Sequence, residues 1–324
     1  RNSPKNLPLS PARNVGPKNS MTPDDNGTQR QRPDNMTFLR PSFPPGPGRA
    51  EALLAPHALQ TYALVAFGAL GLFIGHPNPF LYFPLLALAF PFSLHLLATL
   101  APSGKKALLY CWTLGLFSNT AGLYWLIHPM HDVGGLDYTL AWPAVILLSA
   151  FLACYPALAG LSMRRVRQLF SISEQDTGFP VPSLFASMRP ALSLPFRLVP
   201  AALLSGCIYA GYEVLCGFLF TGFPWLALGS AFAFWPDWIQ AASLVGGYGL
   251  GACFAAAACL AASASLAASW TERVGATLLA LALTAALPVY GHLRLASPLP
   301  ENAGAPLSII MVQGNIDQNQ KWDP

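Results

Sequence analysis

The chain has 324 residues, a formal net charge of +4, 53% hydrophobic residues and only 10% charged ones, where a soluble domain carries roughly a quarter charged residues. From Ala52 to Gly104 there is no Asp, Glu, Lys or Arg, far more than the ~20 apolar residues that one bilayer crossing needs. A soluble domain cannot expose such faces, so composition excludes the soluble classes and predicts an integral membrane protein.

Residues 1–56 are rich in Pro, Asn, Ser and Arg and have hardly any apolar run. Such a segment cannot bury enough surface to offset ordering, and it reads as a disordered tail. Its sequons, Asn26-Gly27-Thr28 and Asn35-Met36-Thr37, are discounted, because the charge pattern below puts the tail in the cytoplasm. The segment lacks a signal-peptide pattern, and a chain that opens on Arg1 reads as one whose start is missing.

Seven apolar spans follow, at about 58–75, 80–100, 107–127, 138–163, 198–220, 239–269 and 274–292. His76-Pro77-Asn78-Pro79 ends the first, since each Pro removes a donor and restricts its neighbour. Ser103-Gly104-Lys105-Lys106 is a polar turn. The sixth span holds Gly246, Gly247, Gly249 and Gly251 with a long Ala/Ser run, which predicts close helix packing in lipid. Its Gly-x-Gly-x-Gly spacing follows no strand and carries little weight as a nucleotide loop. The loop at 168–197 is long and Pro-rich and receives no function.

Lys and Arg in alternate loops set the orientation. Leaving the tail aside, one side holds eight of them (Lys105, Lys106, Arg164, Arg165, Arg167, Arg189, Arg197, Arg273) and the other side only Arg294 near a membrane end. The N-terminus is therefore expected inside, and everything after about residue 292 outside. There, Pro306–Gln313 is a β-branched apolar run ending at Gly314-Asn315. It reads as the first strand of an extracytoplasmic α/β domain that the chain cuts short.

Few residues are candidates for chemistry. Phe218, Phe220, Phe223, Trp225, Phe232, Phe234, Trp235 and Trp238 crowd into 21 residues around Gly222 and Pro224. Such a cluster is either an interfacial aromatic belt or a re-entrant segment that admits lipid. Glu213 is the acidic residue inside a predicted span, where an ionisable group calls for a partner or a cavity; reaching interfacial water is the alternative. His128 and His131 beside Asp132 have ligand-type side chains, but Pro129 between them breaks the helical face a zinc motif uses. No metal site and no cofactor is expected. The six cysteines (Cys111, Cys154, Cys207, Cys216, Cys253, Cys259) lie in apolar spans without metal spacing and read as small packing residues.

Three stretches together resemble one family. Gly122-Leu123-Tyr124-Trp125, leading to Gly134-Gly135, is similar to the end of the third helix of bacterial apolipoprotein N-acyltransferases. Glu213 followed by Leu219-Phe220-Thr221-Gly222-Phe223-Pro224-Trp225-Leu226-Ala227-Leu228-Gly229 resembles that family's membrane signature. Met311-Val312-Gln313-Gly314-Asn315-Ile316, with Gln318 and Lys321-Trp322-Asp323, looks like the opening of its nitrilase-like domain. Where many members carry Arg-Gly three residues after the membrane Glu, this chain has Cys216-Gly217.

The resemblance implies the following organisation: a cytoplasmic tail at 1–56, a seven-helix transmembrane domain at 57–293, a linker at 294–305, and the start of a truncated nitrilase-like domain at 306–324. The fold class is an all-α polytopic membrane bundle followed by that first strand. The implied protein sits in the bacterial inner membrane. It takes an acyl chain from a phospholipid donor and places it on the N-terminal diacylglyceryl-cysteine of an apolipoprotein acceptor, with no nucleic acid involved. A Cys nucleophile, a Glu base and a Lys would form a thioester acyl-enzyme, all beyond residue 324, so no catalytic residue is assigned here and the chain by itself is expected to be inactive. Trp125, Glu213, Gly222, Phe223, Pro224 and Trp225 are the expected lipid-entry residues. A non-catalytic membrane scaffold is the alternative. A small-molecule permease is a third reading, against which stands the lack of an internal repeat.

Overall fold

The computed structural model describes residues 48–170, 194–267, 269–297 and 308–315. The expectations for the tail up to residue 47, most of the 168–197 loop and the residues at 298–307 and 316–324 lie outside the described residues.

Helix α1 (Gly48–Gly75) starts ten residues before the expected span, because Ala50-Glu51-Ala52-Leu53-Leu54 are strong helix formers. It stops at the Pro77/Pro79 pair, where Asn78 ties the turn. The Asn78 amide donates to the carbonyls of Phe73, His76 and Leu81, and its Oδ1 accepts from the N–H groups of Phe80 and Leu81. A 3-10 turn at Pro84–Leu88 leads into α2 (Ala89–Leu100). Helix α3 (Gly104–Gly122) is capped by Ser103 Oγ, which accepts from Lys106 N–H at 3.3 Å. Helix α4 (Tyr138–Leu152) is capped by Asp137, whose Oδ1 accepts from the Thr139 N–H and hydroxyl. These bonds from Thr139 hold the Asp137 carboxyl below its ordinary pKa.

Helix α5 (Cys154–Phe170) continues α4 after a break at Ala153. Pro156 explains the break, since it has no N–H to give the Leu152 carbonyl. The chain returns through α6 (Leu194–Phe218), an irregular aromatic segment, α7 (Ala242–Ser265) and α8 (Trp270–Ala296).

By length and composition, five stretches among the described residues suit a membrane crossing: Ala58–Gly75, Tyr138–Leu169, Leu198–Thr221, Ala242–Ser265 and Trp270–Ala296. Seven were expected. The second expected span is an apolar helical stretch of only Pro84–Leu100, and the third, α3, opens on Lys105-Lys106 and carries Thr113, Ser118 and Asn119. The short α2 is nonetheless central, packing against α1, α3, α5 and α7 with Phe90, Leu94, His95 and Leu97 buried. Arg164 of α5 closes its end, donating from Nη1 to the carbonyls of Ala98, Thr99 and Ala101.

Small residues set the closest crossings. A side chain on Gly206 of α6 would come within 2.5 Å of the Ala252 carbonyl and 2.8 Å of Ala256 Cβ in α7. Backbones approach this closely in lipid because dispersion and polar contacts, rather than water exclusion, hold membrane helices together. Of the cysteines, Cys111 and Cys259 are buried, as packing residues should be, whereas Cys154, Cys207 and Cys253 lie on outer faces.

Among the described residues the expected strand is not seen. Residues 308–315 have no regular secondary structure, and Ile310 and Met311 are 89% and 93% exposed. A strand is defined by its ladder to a neighbour, and the described residues offer none.

Candidate functional site

The segment between α6 and α7 is built on backbone strain. Three successive residues have left-handed φ: Phe220 (53°), Thr221 (74°) and Gly222 (79°). For Phe and Thr this costs roughly 1–2 kcal/mol each. Two backbone bonds hold the turn, Gly222 N–H to the Leu219 carbonyl (3.0 Å) and Phe223 N–H to the Cys216 carbonyl (2.6 Å). Gly is required at 222 on a second count, because a Cβ there would run into the Gly217 carbonyl. Strain of this kind persists only where the surroundings over-determine it, and it clusters at functional sites.

The turn sets the aromatic side chains. Phe220 is 79% exposed and packs edge-on to Phe151, while Trp225, 56% exposed, lies 5.0 Å from the ring of Trp125. Phe218 and Phe234 are also exposed. Phe232 goes the other way: fully buried, it stacks on Phe254 at 4.1 Å and on Trp238 at 5.4 Å. The aromatic crowd is thus two groups, one presented outward and one belonging to the core.

Glu213 is 3% exposed. Its Oε1 accepts a 2.7 Å hydrogen bond from Leu228 N–H, the first amide of the 3-10 turn Leu228–Phe232, where an anionic or acceptor group is favoured. Oε2 is buried without a hydrogen-bond partner and packs against Gly251, where an added Cβ would lie 2.8 Å away. Among the described residues Glu213 has no ion pair, and the residue one turn on is Cys216.

His76, which the sequence marks only as part of the stop after the first span, reaches this site from the end of α1. Its Nδ1 is 3.0 Å from the Leu72 carbonyl and its Nε2 is 3.3 Å from the Ala227 carbonyl. Burial lowers its pKa below the ordinary value, although both carbonyls pull the other way. Tyr82 in the following loop donates its hydroxyl to the Ala231 carbonyl at 2.6 Å. The pairing with Ala227 spans 151 positions, so no local pattern announces it.

Glu213, Phe223, Pro224 and Trp225 line one cavity of about 40 Å³, together with Asn119, Tyr212, Cys216 and Leu226. That volume is large enough for a water molecule, which needs roughly 10–15 Å³, but not for an acyl chain. Trp125 joins the cavity rim through Trp225, and Gly222 supplies the turn without lining it. A larger apolar groove of about 640 Å³ lies elsewhere, between Phe67, Leu85, Phe92, Trp238, Ala257 and Pro288. His128 and His131 are engaged separately. His128 faces Asp132 at 3.6 Å, while His131 stacks on Tyr138 and meets the Leu136 carbonyl.

A model of the apolipoprotein N-acyltransferase N-terminal domain matches residues 68–260, which takes in the strained turn, Glu213, His76 and the Trp125 helix end. A Bordetella bronchiseptica protein named apolipoprotein N-acyltransferase is 35% identical over 229 residues, covering 69% of this chain and 38% of its own length. Relatives of the same name from Geobacter metallireducens and Ralstonia nicotianae are each 29% identical, over 74% and 85% of this chain and 43% and 46% of their own lengths. The chain thus spans less than half the length of these curated relatives. With its match over 68–260, the chain belongs to the apolipoprotein N-acyltransferase family, whose N-terminal membrane domain it carries.

Proposed function

We propose that this chain is the membrane platform of a phospholipid-dependent N-acyltransferase that completes bacterial lipoproteins. In this reading seven membrane segments, including the short α2 and α3, hold an extracytoplasmic nitrilase-like domain that starts near residue 306. A thiol of that domain attacks a phospholipid ester, giving a thioester and releasing the lysophospholipid hydroxyl, which takes the proton. The α-amine of a diacylglyceryl-cysteine then attacks the thioester, forming the amide and freeing the thiol. Splitting one difficult transfer into two easier ones is the purpose of such an intermediate.

The observation that carries the reading is the strained Phe220–Gly222 turn, within the family match, presenting Phe220 and Trp225 outward beside a buried carboxyl. An exposed aromatic edge held rigid by strain is suited to receive an acyl chain from the bilayer, since it loses little conformational freedom on contact. The six cysteines have no part in the chemistry, and the chain alone is inactive.

The test uses the full-length protein in phospholipid vesicles. Trp225→Ala should slow acyl loading of the thiol while membrane insertion stays normal. Loading at the wild-type rate would return Trp225 to the interfacial belt and remove it from the lipid path.

A further inference from the structure

Two contacts described separately above fall on the same peptide bond. The Ala227 carbonyl, which faces His76 Nε2 at 3.3 Å, and the Leu228 N–H, which donates to Glu213 Oε1 at 2.7 Å, are the two polar ends of the Ala227–Leu228 peptide unit. One end is held from α1 and the other from α6, by side chains that are 7% and 3% exposed. We infer that His76 and Glu213 act as one device, a clamp through the Ala227–Leu228 peptide, and that His76 is a positioning residue for the Trp225 segment. The inference rests on the function proposed above for that segment.

The physical case has three parts. Donation to an amide oxygen and acceptance from the same amide N–H polarise the peptide in one direction, so each bond strengthens the other in a low-dielectric interior. Among the described residues Glu213 makes no other hydrogen bond, whereas His76 also faces the Leu72 carbonyl at 3.0 Å, nearer than Ala227 at 3.3 Å. Glu213 Oε1 accepts the Leu228 N–H as its one hydrogen bond to the loop, and its Oε2 rests against Gly251. A neutral imidazole has one N–H and here faces two acceptor carbonyls, so the clamp requires the tautomer protonated on Nε2, in which Ala227 accepts. Finally, the clamped peptide sits where the loop needs fixing. Leu226, one residue before it, packs on Gly122 of α3, and Trp225, two residues before it, meets Trp125. Ser230 adds its N–H and hydroxyl to the same Ala227 oxygen, at 3.0 and 2.6 Å.

Amide exchange at Leu228 in the 324-residue chain tests the clamp without requiring any activity. Glu213→Ala removes the acceptor and should speed exchange. His76→Ala does not touch the Leu228 N–H, yet should speed its exchange by about tenfold, the middle of the range for groups in one hydrogen-bond network. The double variant should speed exchange by less than the product of the two single effects. Glu213→Gln and His76→Gln, which keep an acceptor and a donor respectively, should restore most of the protection. Tyr82→Phe loosens the same loop at Ala231 and controls for general slackening. The proposal is overturned by wild-type exchange in His76→Ala, by multiplicative effects in the double variant, or by a Tyr82→Phe effect as large as that of His76→Ala. In the full-length protein, His76→Ala should raise the lipid concentration for half-maximal acyl loading more than it lowers the maximal rate, because the thiol lies elsewhere. Absence of loading in the wild type would defeat the proposed function and leave the exchange result standing.

Discussion

Replacing Gly222 by Ala adds one methyl group at the point where the turn is most strained. Gly222 has φ 79° and ψ 140°, a region that side-chain-bearing residues enter at a cost of about 1–3 kcal/mol. The new Cβ also meets the Gly217 carbonyl, which is backbone and can yield only if the end of α6 shifts. Overpacking of that kind adds roughly 1–3 kcal/mol. Allowing for partial relaxation, Gly222→Ala should destabilise by about 3 kcal/mol, which for a domain of this size lowers the melting temperature by roughly 6–12 °C. Thermal unfolding of the detergent-solubilised chain, followed by tryptophan fluorescence, measures this. Gly211→Ala is the control, since a Cβ there meets nothing within 4 Å, and in a helix interior it should be neutral or stabilising by up to ~1 kcal/mol. If Gly222→Ala melts with the Gly211→Ala control, the turn is not held in its left-handed geometry and the strain argument fails.

His76 predicts a pH dependence. Its folded pKa is depressed by burial, so its contribution is fully present above the ordinary histidine value near 6.5 and is lost as pH falls through the folded value. Stability should therefore fall on acidification below about pH 6.5, and His76→Gln should flatten that fall; an unchanged pH profile in the variant would exclude His76 as its source. Arg164→Ala should cost about 1.5–3 kcal/mol, the range for hydrogen bonds to a charged donor, and fray the end of α2 through Ala98–Ala101. Proteolysis or amide exchange confined to that end would report it, and unchanged protection there would show that α2 needs no cap.

The sequence makes the helical framework legible because apolar runs and Pro pairs act locally. The Pro77/Pro79 stop sits where composition places it, whereas Ser103, read as part of a polar turn, caps a helix that already includes Lys105 and Lys106. It also singles out the Phe218–Trp238 stretch, since eight aromatics around Gly222 and Pro224 are unusual in any context. What it hides are features that depend on distant partners. The aromatic residues divide by burial, Phe232 entering the core and Phe220 facing outward, and nothing in their spacing tells them apart. α2 is short yet central because four other helices surround it, a property of packing rather than of hydropathy. His76 looks like a lone polar residue at a helix end until Ala227 is brought beside it. The segment at 308–315 has a strand's composition, but composition cannot supply the neighbour a strand requires.

Acyl loading from phospholipid, followed by mass spectrometry of intact protein, tests the central claim most directly, on the full-length protein and on the 324-residue chain side by side. The account predicts a thioester-linked acyl group on the full-length protein and none on any of the six cysteines of the shorter chain. An acyl adduct on Cys216 or another cysteine of the 324-residue chain, or no adduct on the full-length protein, would contradict it.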